Sequence, residues 1–426
     1  MSMFKPSPRI AGELARKDVW SLVNEAAAQC KTPPVNLGQG FMDFNPPPWL
    51  LKAAKECLDP VPTNQYSPTR GRPRLKSAIA KAYSPFLHRE LDPNTEVLIT
   101  AGANEGFYSA FAGLLDAGDE VIVMEPYFDQ YISNIEFNGG VVKYVSLRPS
   151  ERAKTQNIDA SEWRLDMDEL RAAITPKTKA IMVNSPHNPI GKIFTRTELL
   201  EIGELVVKHN LIVLSDEVYD RLDYKPQVRM ASLSPELADR VITIGSAGKT
   251  FGCTGWRVGW LIARPELINY CAAAHTRICF VANSPLQEAT AIAFEQAETE
   301  GYYEKTCAEY KERRDLLQST FDELGLTYTV PDGSYFLLVN FSKVKIPEEF
   351  VANVPESVTK GRAKDFLLSY WLCSELGVVA IPPSEFCTPK SAPIFEEYLR
   401  FAFCKKIETL QAAREKLLGL KAYVQT

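Results

Sequence analysis

Short apolar runs alternate with helix-like stretches between about residues 96 and 263. This alternation is typical of a mostly parallel sheet whose two faces are covered by helices. It therefore predicts an α/β fold with a seven-stranded sheet. The predicted strands are Glu96–Thr100, Glu120–Glu125, Val141–Leu147, Lys179–Asn184, Leu211–Ser215, Val241–Gly245 and Trp260–Ala263.

One connection illustrates the predicted repeating unit. Thr195 and Glu198 have the spacing of a capping box, in which each residue satisfies a free backbone N–H group of the other. Apolar residues then recur at near-helical spacing from Leu199 to Val206, before the next strand. The segment reads as a βαβ unit.

The chain ends follow a different pattern. Tyr335–Val339, Val378–Ile381 and Leu399–Phe403 read as strands separated by helices, which predicts a smaller α+β domain built from both ends of the chain. We expect residues 1–45 to form an N-terminal arm and part of this small domain. Residues 46–328 then form the large domain, and residues 329–426 the C-terminal small domain.

Composition excludes several classes of protein. The 426 residues are 45% hydrophobic and 24% charged with a net charge of −5, so neither disorder nor a nucleic-acid partner is expected. No apolar run is long enough to span a membrane, and no secretory signal is evident. Nine cysteines without a CxxC pair, and only four histidines, predict a reducing compartment and no metal site. The cytoplasm is expected, with the mitochondrion as the alternative.

A Gly-Lys-Thr triplet at residues 248–250 suggests a nucleotide-binding P-loop, but its spacing excludes one. A P-loop needs a glycine five residues before Gly248, where this chain has Thr243. The GxGxxG dinucleotide fingerprint is also missing. A better anion site is Thr100–Gly106, which follows a strand and precedes a helix-like run, so that backbone N–H groups can meet an anion. A plain turn is the alternative there.

Polar residues follow further predicted strands. Asp216 ends a buried strand, where ligands bind in open α/β sheets, although an aspartate there can also serve only as a helix N-cap. Ser185–Pro189 follows the preceding strand and is otherwise a proline-rich turn. Lys249 precedes Arg257 by eight residues, and a lone lysine is usually only solvated.

Together these strand ends supply what pyridoxal 5′-phosphate requires. It needs an amine for an imine, an anion for its pyridinium nitrogen, a donor for its ring oxygen, and cations or N–H dipoles for its phosphate. On these residues the chain resembles the class I, fold-type I aminotransferases, from about Trp20 to its C-terminus. That resemblance implies the fold-type I architecture and pyridoxal 5′-phosphate as cofactor. The motifs that carry it are Ser185–Pro189, Ser215–Tyr219, Ser246–Phe251 and Gly255–Gly259.

Within that superfamily the chain is most similar to the kynurenine/glutamine-type aminotransferases. This group also shows cysteine-conjugate β-lyase activity. Over its whole length the sequence looks most like the fungal kynurenine aminotransferases of the group. The supporting phrases are Asn36–Phe44, Asn64–Pro68, Glu125–Tyr131, Gly333–Phe336 and Val379–Pro383.

The resemblance implies a role for each site residue. Lys249 forms the imine with the cofactor and later moves the substrate proton, while Asp216 keeps the pyridine nitrogen protonated. Gly40 and Asn188 help to bind the substrate carboxylate. The remaining assignments are Tyr219 and Asn188 on the ring oxygen, Phe128 against the ring, Ala103, Asn104, Ser246 and Arg257 on the phosphate, and a cis Asn188–Pro189 bond.

Arg400 is predicted as a carboxylate-binding residue on independent grounds. It lies in a predicted strand that is apolar at alternating positions on both faces, so its guanidinium is expected to be buried and to need an anion. A substrate α-carboxylate would satisfy it with two parallel hydrogen bonds. From the residues alone, an internal pair with a protein carboxylate is an equal alternative, and the resemblance favours the substrate.

In the family two subunits share each site, which implies a homodimer here. By resemblance Tyr66 reaches the phosphate of the partner's cofactor, and Phe280 walls the partner's pocket. Arg277 lies near the place where acid-specific aminotransferases have a second arginine, which keeps glutamate and 2-aminoadipate as candidate substrates. A mostly aromatic side-chain pocket is expected from Trp20, Phe128, Tyr335 and Phe336.

The expected reaction moves the amino group of kynurenine, or of another aromatic or large neutral amino acid, to a 2-oxo acid such as 2-oxoglutarate. It alternates pyridoxal and pyridoxamine phosphate, which predicts ping-pong kinetics. The alternatives on the same scaffold are a cysteine-S-conjugate β-lyase and a 2-aminoadipate or glutamine aminotransferase. A non-enzymatic cofactor-binding regulator is disfavoured, because such regulators usually carry a DNA-binding domain that the residues before Asn36 are too few to form.

Overall fold

The structure, a computed structural model, describes residues 5–7, 19–30 and 33–425. Its helices are α1 (Val19–Gln29), α2 (Pro48–Glu56), α3 (Pro73–Tyr83), α4 (Ala103–Leu114), α5 (Gln130–Phe137), α6 (Met167–Ala173), α7 (Arg196–Lys208), α8 (Pro235–Ala238), α9 (Ala247–Thr250), α10 (Pro265–Ile278), α11 (Ser284–Ala297), α12 (Tyr302–Leu324), α13 (Glu348–Asn353), α14 (Glu356–Thr359), α15 (Lys364–Leu376), α16 (Ala392–Phe395) and α17 (Ile407–Leu417). Its strands are β1 (Val35–Asn36), β2 (Val97–Thr100), β3 (Glu120–Glu125), β4 (Val141–Arg148), β5 (Ile158–Asp159), β6 (Arg164–Leu165), β7 (Thr178–Asn184), β8 (Ile212–Asp216), β9 (Val241–Ser246), β10 (Gly259–Ile262), β11 (Tyr328–Val330), β12 (Phe336–Asn340), β13 (Val378–Val379) and β14 (Tyr398–Ala402).

The large sheet has eight strands in the order β2-β10-β9-β8-β7-β3-β4-β6. Five consecutive members, from β9 to β4, run parallel, while β10 and the edge strand β6 run antiparallel to their neighbours. All seven predicted strands are present, with ends that agree to within one residue. The eighth strand, β6, was not predicted, because two residues are too few to show a hydrophobic period.

The parallel strands bring their carboxyl ends to one edge of the sheet. Asn184 at the end of β7 pairs in register with Asp216 at the end of β8. The helix between these strands, α7, begins with the predicted capping box: Thr195 accepts from the Glu198 backbone N–H at 3.2 Å, and the Glu198 carboxylate accepts from the Thr195 backbone N–H at 2.8 Å. This edge therefore gathers polar side chains from successive βα turns.

A second sheet, in the order β14-β12-β11-β5, lies in the C-terminal part of the chain and recruits β5 from the middle of the sequence. β1 pairs in parallel with β13, which ties the segment before Leu37 to the C-terminal region. Strands were predicted at Tyr335–Val339 and Leu399–Phe403, where β12 and β14 lie. The predicted strand Val378–Ile381 is regular only over β13, and Ile381 forms an isolated bridge with Arg400. The division at residues 45 and 328 stays a prediction.

Helix α1 packs on α15 through an apolar face. Val19, Leu22, Val23 and Ala26 are buried and belong to one hydrophobic cluster with Phe366, Tyr370 and Cys373 of α15. Their spacing along α1 is the i, i+3, i+4, i+7 pattern of an amphipathic helix. The rest of the predicted N-terminal arm before Val19 lies largely outside the described residues.

Candidate active site

A cavity of about 330 Å³ opens at the carboxyl edge of the large sheet. Asp216 and Ser246, the last residues of neighbouring strands β8 and β9, both line it, and Arg400 reaches it from the second sheet. Thirteen of the predicted site residues meet there. They are Trp20, Gly40, Ala103, Asn104, Phe128, Asn188, Asp216, Tyr219, Ser246, Lys249, Arg257, Phe336 and Arg400.

The amine of Lys249 projects from the short helix α9, which directly follows β9. Its Nζ donates to the Tyr335 hydroxyl at 2.7 Å and to the Gly40 carbonyl at 3.1 Å. Loss of hydration on burial lowers the pKa of Lys249 to about 8. A useful fraction of this amine is therefore neutral, and so nucleophilic, near neutral pH.

Asp216 is a buried carboxylate held by two donors. It accepts from the Tyr131 hydroxyl and, through Oδ1, from the Val218 backbone N–H at 3.3 Å. Burial raises the pKa of Asp216 to about 6, and the hydrogen bonds and the charge of Lys249 oppose that rise. The group is thus mostly ionised at pH 7 and can hold a proton on a ligand nitrogen that faces it.

Tyr131 is a site residue that the sequence reasoning did not assign. It lies in the phrase Glu125–Tyr131, three residues after Phe128, and the two rings make an edge contact with centroids 5.6 Å apart. One helical turn of spacing was the available signal. What could not be read from the sequence was that this hydroxyl reaches Asp216.

The start of α4 forms an anion cradle together with Arg257. Gly102 has φ +85°, and a Cβ there would lie only 2.5 Å from Arg257 Nη2, so the guanidinium packs against bare backbone. Arg257 itself has φ 54° and donates from Nη1 to the Thr254 carbonyl at 3.1 Å. Ala103 and Asn104 present the first N–H groups of a twelve-residue helix to the same cavity. A dianion the size of phosphate fits this arrangement of charge.

Arg400 is buried without a carboxylate partner among the described residues. Nη1 donates to Asn188 Oδ1 at 3.1 Å, Nη2 donates to the Gly38 carbonyl at 2.7 Å, and Nε has no partner. The guanidinium also stacks 4.4 Å from the centre of the Phe336 ring. The alternative of an internal ion pair is therefore not realised within residues 19–30 and 33–425. Burial lowers the pKa of Arg400 to about 10, so it stays cationic and is available to a ligand carboxylate.

Asn188 and Tyr219 complete the polar wall. The Asn188 backbone N–H donates to Asn184 Oδ1 at 2.7 Å, and the Asn188–Pro189 bond is cis, as predicted. The ring of Tyr219 is buried against Tyr335, with ring centroids 5.1 Å apart. Both residues line the same cavity as Lys249 and Arg400, so a ligand bound there can contact all of them.

Four residues named from the sequence do not line the cavity. Tyr335 is fully buried, and its hydroxyl donates to the Gly40 carbonyl at 2.7 Å while receiving the Lys249 amine, so it supports the lysine instead of forming a pocket wall. Tyr66 and Phe280 lie on the surface, where 82% and 49% of each residue is exposed, with ring centroids 5.4 Å apart. Arg277 is also exposed and outside the cavity. The lining includes further residues that were not predicted: Gln39, Phe41, Phe107, Asp129, Tyr131, Val218 and Phe386.

Two general expectations can be checked on the described residues. Within residues 5–7, 19–30 and 33–425, no helix is long and apolar enough to cross a membrane. All nine cysteines are free thiols.

Known proteins with similar sequences and structures identify the family of this chain. The family model "Aminotransferase class I and II" matches residues 32–417. The chain is 50% identical over 417 residues to the probable kynurenine–oxoglutarate transaminase BNA3 of Saccharomyces cerevisiae, which covers 96% of this chain and 93% of that protein. It is 38% identical to the kynurenine–oxoglutarate transaminase of Dictyostelium discoideum, over 98% and 97% of the two chains. The crystal structure of Bna3p from S. cerevisiae superposes with a TM-score of 0.95 at 49% identity, covering 99% of this chain and all of that one.

Proposed function

Because this chain belongs to the class I and II aminotransferase family, we propose that it transfers the amino group of kynurenine, or of a similar aromatic amino acid, to a 2-oxo acid such as 2-oxoglutarate. The family depends on pyridoxal 5′-phosphate. The observation that carries the proposal is the placement of Lys249 and Arg400 in one cavity, where no carboxylate of the described residues pairs with Arg400. The identity of the amino donor follows the names of the relatives at 50% and 38% identity.

The residues of the cavity fit the cofactor on chemical grounds. The cradle of Ala103, Asn104 and Arg257 suits its phosphate, and a glycine at 102 is required for the guanidinium to approach the backbone. Asp216 offers an ionised carboxylate for a ring nitrogen, and Lys249 offers an amine. When bound, pyridoxal phosphate accepts the electrons released at the substrate Cα.

The residues of the chain supply binding and proton transfer. Arg400 binds the substrate α-carboxylate, and Asn188, already bonded to Arg400, helps to orient it. Lys249 has a lowered pKa, so its amine can take a proton from the substrate Cα and deliver it to C4′ of the cofactor. Tyr335 and the Gly40 carbonyl hold that amine in place.

Aromatic side chains favour a substrate with a flat, apolar side chain. Trp20, Phe41, Phe128, Phe336 and Phe386 all line the cavity. Aromatic rings bury large flat surfaces and stack on one another at little entropic cost. The anthranilic ring of kynurenine suits such walls better than a second carboxylate does.

We further propose a homodimer with shared sites. Tyr66 and Phe280 form an exposed aromatic pair, which a second subunit would cover, and each would then reach the neighbouring cavity. The free cysteines support a reducing compartment, for which we propose the cytoplasm, with the mitochondrion as the alternative.

The deciding experiment is an assay of the purified holoenzyme with a panel of amino acids against several 2-oxo acids. Kynurenine with 2-oxoglutarate should be among the best pairs, with parallel lines in double-reciprocal plots. Borohydride reduction should fix the cofactor on Lys249 alone. Label on another lysine would contradict the cofactor assignment, whereas poor turnover of kynurenine with good turnover of another donor would contradict only the substrate.

A further inference from the structure

Two cysteines from opposite ends of the chain meet outside the cavity. Cys30 follows the last residue of α1, Cys373 lies in α15, and their sulfur atoms are 3.9 Å apart. Cys30 Sγ also donates to the Cys373 carbonyl at 2.9 Å. A disulfide bond is about 2.05 Å long, so the two sulfur atoms must move about 1.9 Å closer to form one.

We propose that Cys30 and Cys373 are a redox-modification site, which peroxide converts to a disulfide that locks helix α1 onto helix α15. The sites of the other thiols make this pair distinctive. All nine cysteines lie in the described residues, and no two other sulfurs are in hydrogen-bonding contact. The half-buried Cys279 and Cys307 face His275 and the Asp223 carbonyl instead.

The two thiols differ in access, which orders the reaction. Cys30 is half-buried and can meet a small oxidant, whereas Cys373 is only 1% exposed. Burial raises the pKa of the Cys373 thiol, as does the neighbouring Cys30, so little of Cys373 is thiolate and it is disfavoured as the first sulfur to attack the peroxide. Cys30 is therefore the thiol oxidised first, and Cys373 is the resolving thiol.

The chemistry balances with hydrogen peroxide as the oxidant. The Cys30 thiolate attacks one peroxide oxygen, which breaks the O–O bond, releases hydroxide and leaves a sulfenic acid. The Cys373 sulfur then attacks Cys30 Sγ, forming the S–S bond and releasing water. In total the two thiols lose two protons and two electrons, and one peroxide takes them up to become two waters. A dithiol reductant reverses the change.

The consequence concerns the helix that carries Trp20. α1 is attached to α15 by the packing of Val19, Leu22, Val23 and Ala26, and Trp20 of the same helix lines the cavity. A bond between residues 343 positions apart would prevent α1 from separating while the rest of the chain stays folded. The disulfide would thus hold Trp20 at the cavity, although the disulfide itself lies outside the cavity and does not contact the reacting groups.

The test uses reduced holoenzyme treated with hydrogen peroxide in small molar excess. Thiol titration should fall from nine to seven, and peptide mapping without reductant should find one cross-link, between Cys30 and Cys373. Glutamate-specific cleavage after Glu25, an exposed residue of α1, should slow at least tenfold and return to its original rate with dithiothreitol. None of these readouts depends on activity, so they are independent of the proposed reaction.

Variants separate the pair from general oxidation. Cys30→Ser should retain its remaining eight thiols and show no change in cleavage, while Cys307→Ser, which removes an equally half-buried thiol, should behave as the unmutated protein. Because Cys373 is buried, its replacement can impair folding, and Cys30→Ser then decides alone. The proposal is overturned by a full thiol count after treatment, by a cross-link elsewhere, or by a Cys30–Cys373 bond that leaves cleavage at Glu25 unchanged.

Discussion

The Arg400 guanidinium and the Asn188 side chain meet between two different sheets, with Nη1 3.1 Å from Oδ1. Arg400 lies in β14 of the four-stranded sheet, and Asn188 lies in the turn after β7 of the large sheet. The proposed carboxylate site therefore exists only when the two parts of the chain are docked together. It also depends on the Gly38 carbonyl, which accepts from the other arm of the guanidinium at 2.7 Å.

Replacing Arg400 by alanine should lower kcat/KM for every amino acid and every 2-oxo acid to a similar extent. Losing one member of a desolvated charge pair costs about 3 to 5 kcal/mol, or several hundred-fold and more in kcat/KM. Steady-state kinetics with kynurenine and with one neutral aliphatic donor measures the loss. Arg164→Ala, which alters an exposed arginine of β6, is the control and should change neither value. A loss confined to one donor would show that Arg400 binds the side chain of that donor and not the α-carboxylate that all donors share.

Replacing Arg277 by alanine should leave kynurenine turnover within a few-fold. Its side chain is exposed and outside the cavity of its own chain, and kynurenine has a ring and a ketone where acidic donors have a second carboxylate. Activity with glutamate and 2-aminoadipate should be measured in parallel. A selective collapse of the acidic donors would show that Arg277 reads a distal carboxylate from the neighbouring subunit.

Replacing Asp216 should abolish activity, whereas replacing Tyr131 should change only how activity depends on pH. Asp216→Ala should abolish transamination without altering the far-ultraviolet circular dichroism. Among the described residues the other carboxylate in the cavity lining, Asp129, caps helix α5 and accepts from the Gln130 backbone N–H, so it does not replace Asp216. Tyr131→Phe removes a hydrogen bond that lowers the pKa of Asp216. The pKa of Asp216 then rises, so the acidic limb of the pH–rate profile should move to higher pH. Near-normal turnover of Asp216→Ala would reduce that residue to a structural cap.

The rate at which the cofactor-free protein captures pyridoxal phosphate on Lys249 should follow a pKa near 8. Only the neutral amine attacks, so the rate should rise about tenfold per pH unit below 8 and level off above it. An unperturbed lysine, with a pKa near 10.5, should keep accelerating through that range. Stopped-flow absorbance across pH 6 to 10 measures it. A rate that still climbs at pH 10 would show that burial does not lower this pKa.

Mixing two inactive variants should test the shared site. Lys249→Ala lacks the amine, and Tyr66→Ala lacks the residue proposed to reach the partner's cavity. Heterodimers contain one cavity with both intact residues, so part of the activity should return after subunit exchange. Mixing Lys249→Ala with Asp216→Ala is the matched control and should restore nothing, because both residues belong to one chain's cavity. No recovery with Tyr66→Ala, despite proven exchange, would argue for self-contained sites.

Local patterns determined the large sheet and most of the site. Strands β3, β7, β8 and β9 are buried along most or all of their length, so each showed as an apolar run whose period needs no distant partner. Their order along the chain also placed Asp216, Asn188 and Lys249 after strand ends, and parallel strands must bring such ends to one edge. For the same reason the capping box at Thr195 could be predicted to the residue.

Tertiary structure decided the rest. β1 and β6 are two-residue strands that exist because β13 and β4 lie beside them, and a pair of residues carries no period of its own. Tyr131 became a partner of Asp216, and Tyr335 moved from pocket wall to support of Lys249, because side-chain hydrogen bonds depend on which groups packing brings within about 3 Å. The sequence alone determined which residues are chemically capable. Which of them touch was set by the docking of the second sheet against the large one and of α1 against α15. These are contacts between segments hundreds of residues apart, which no local pattern encodes.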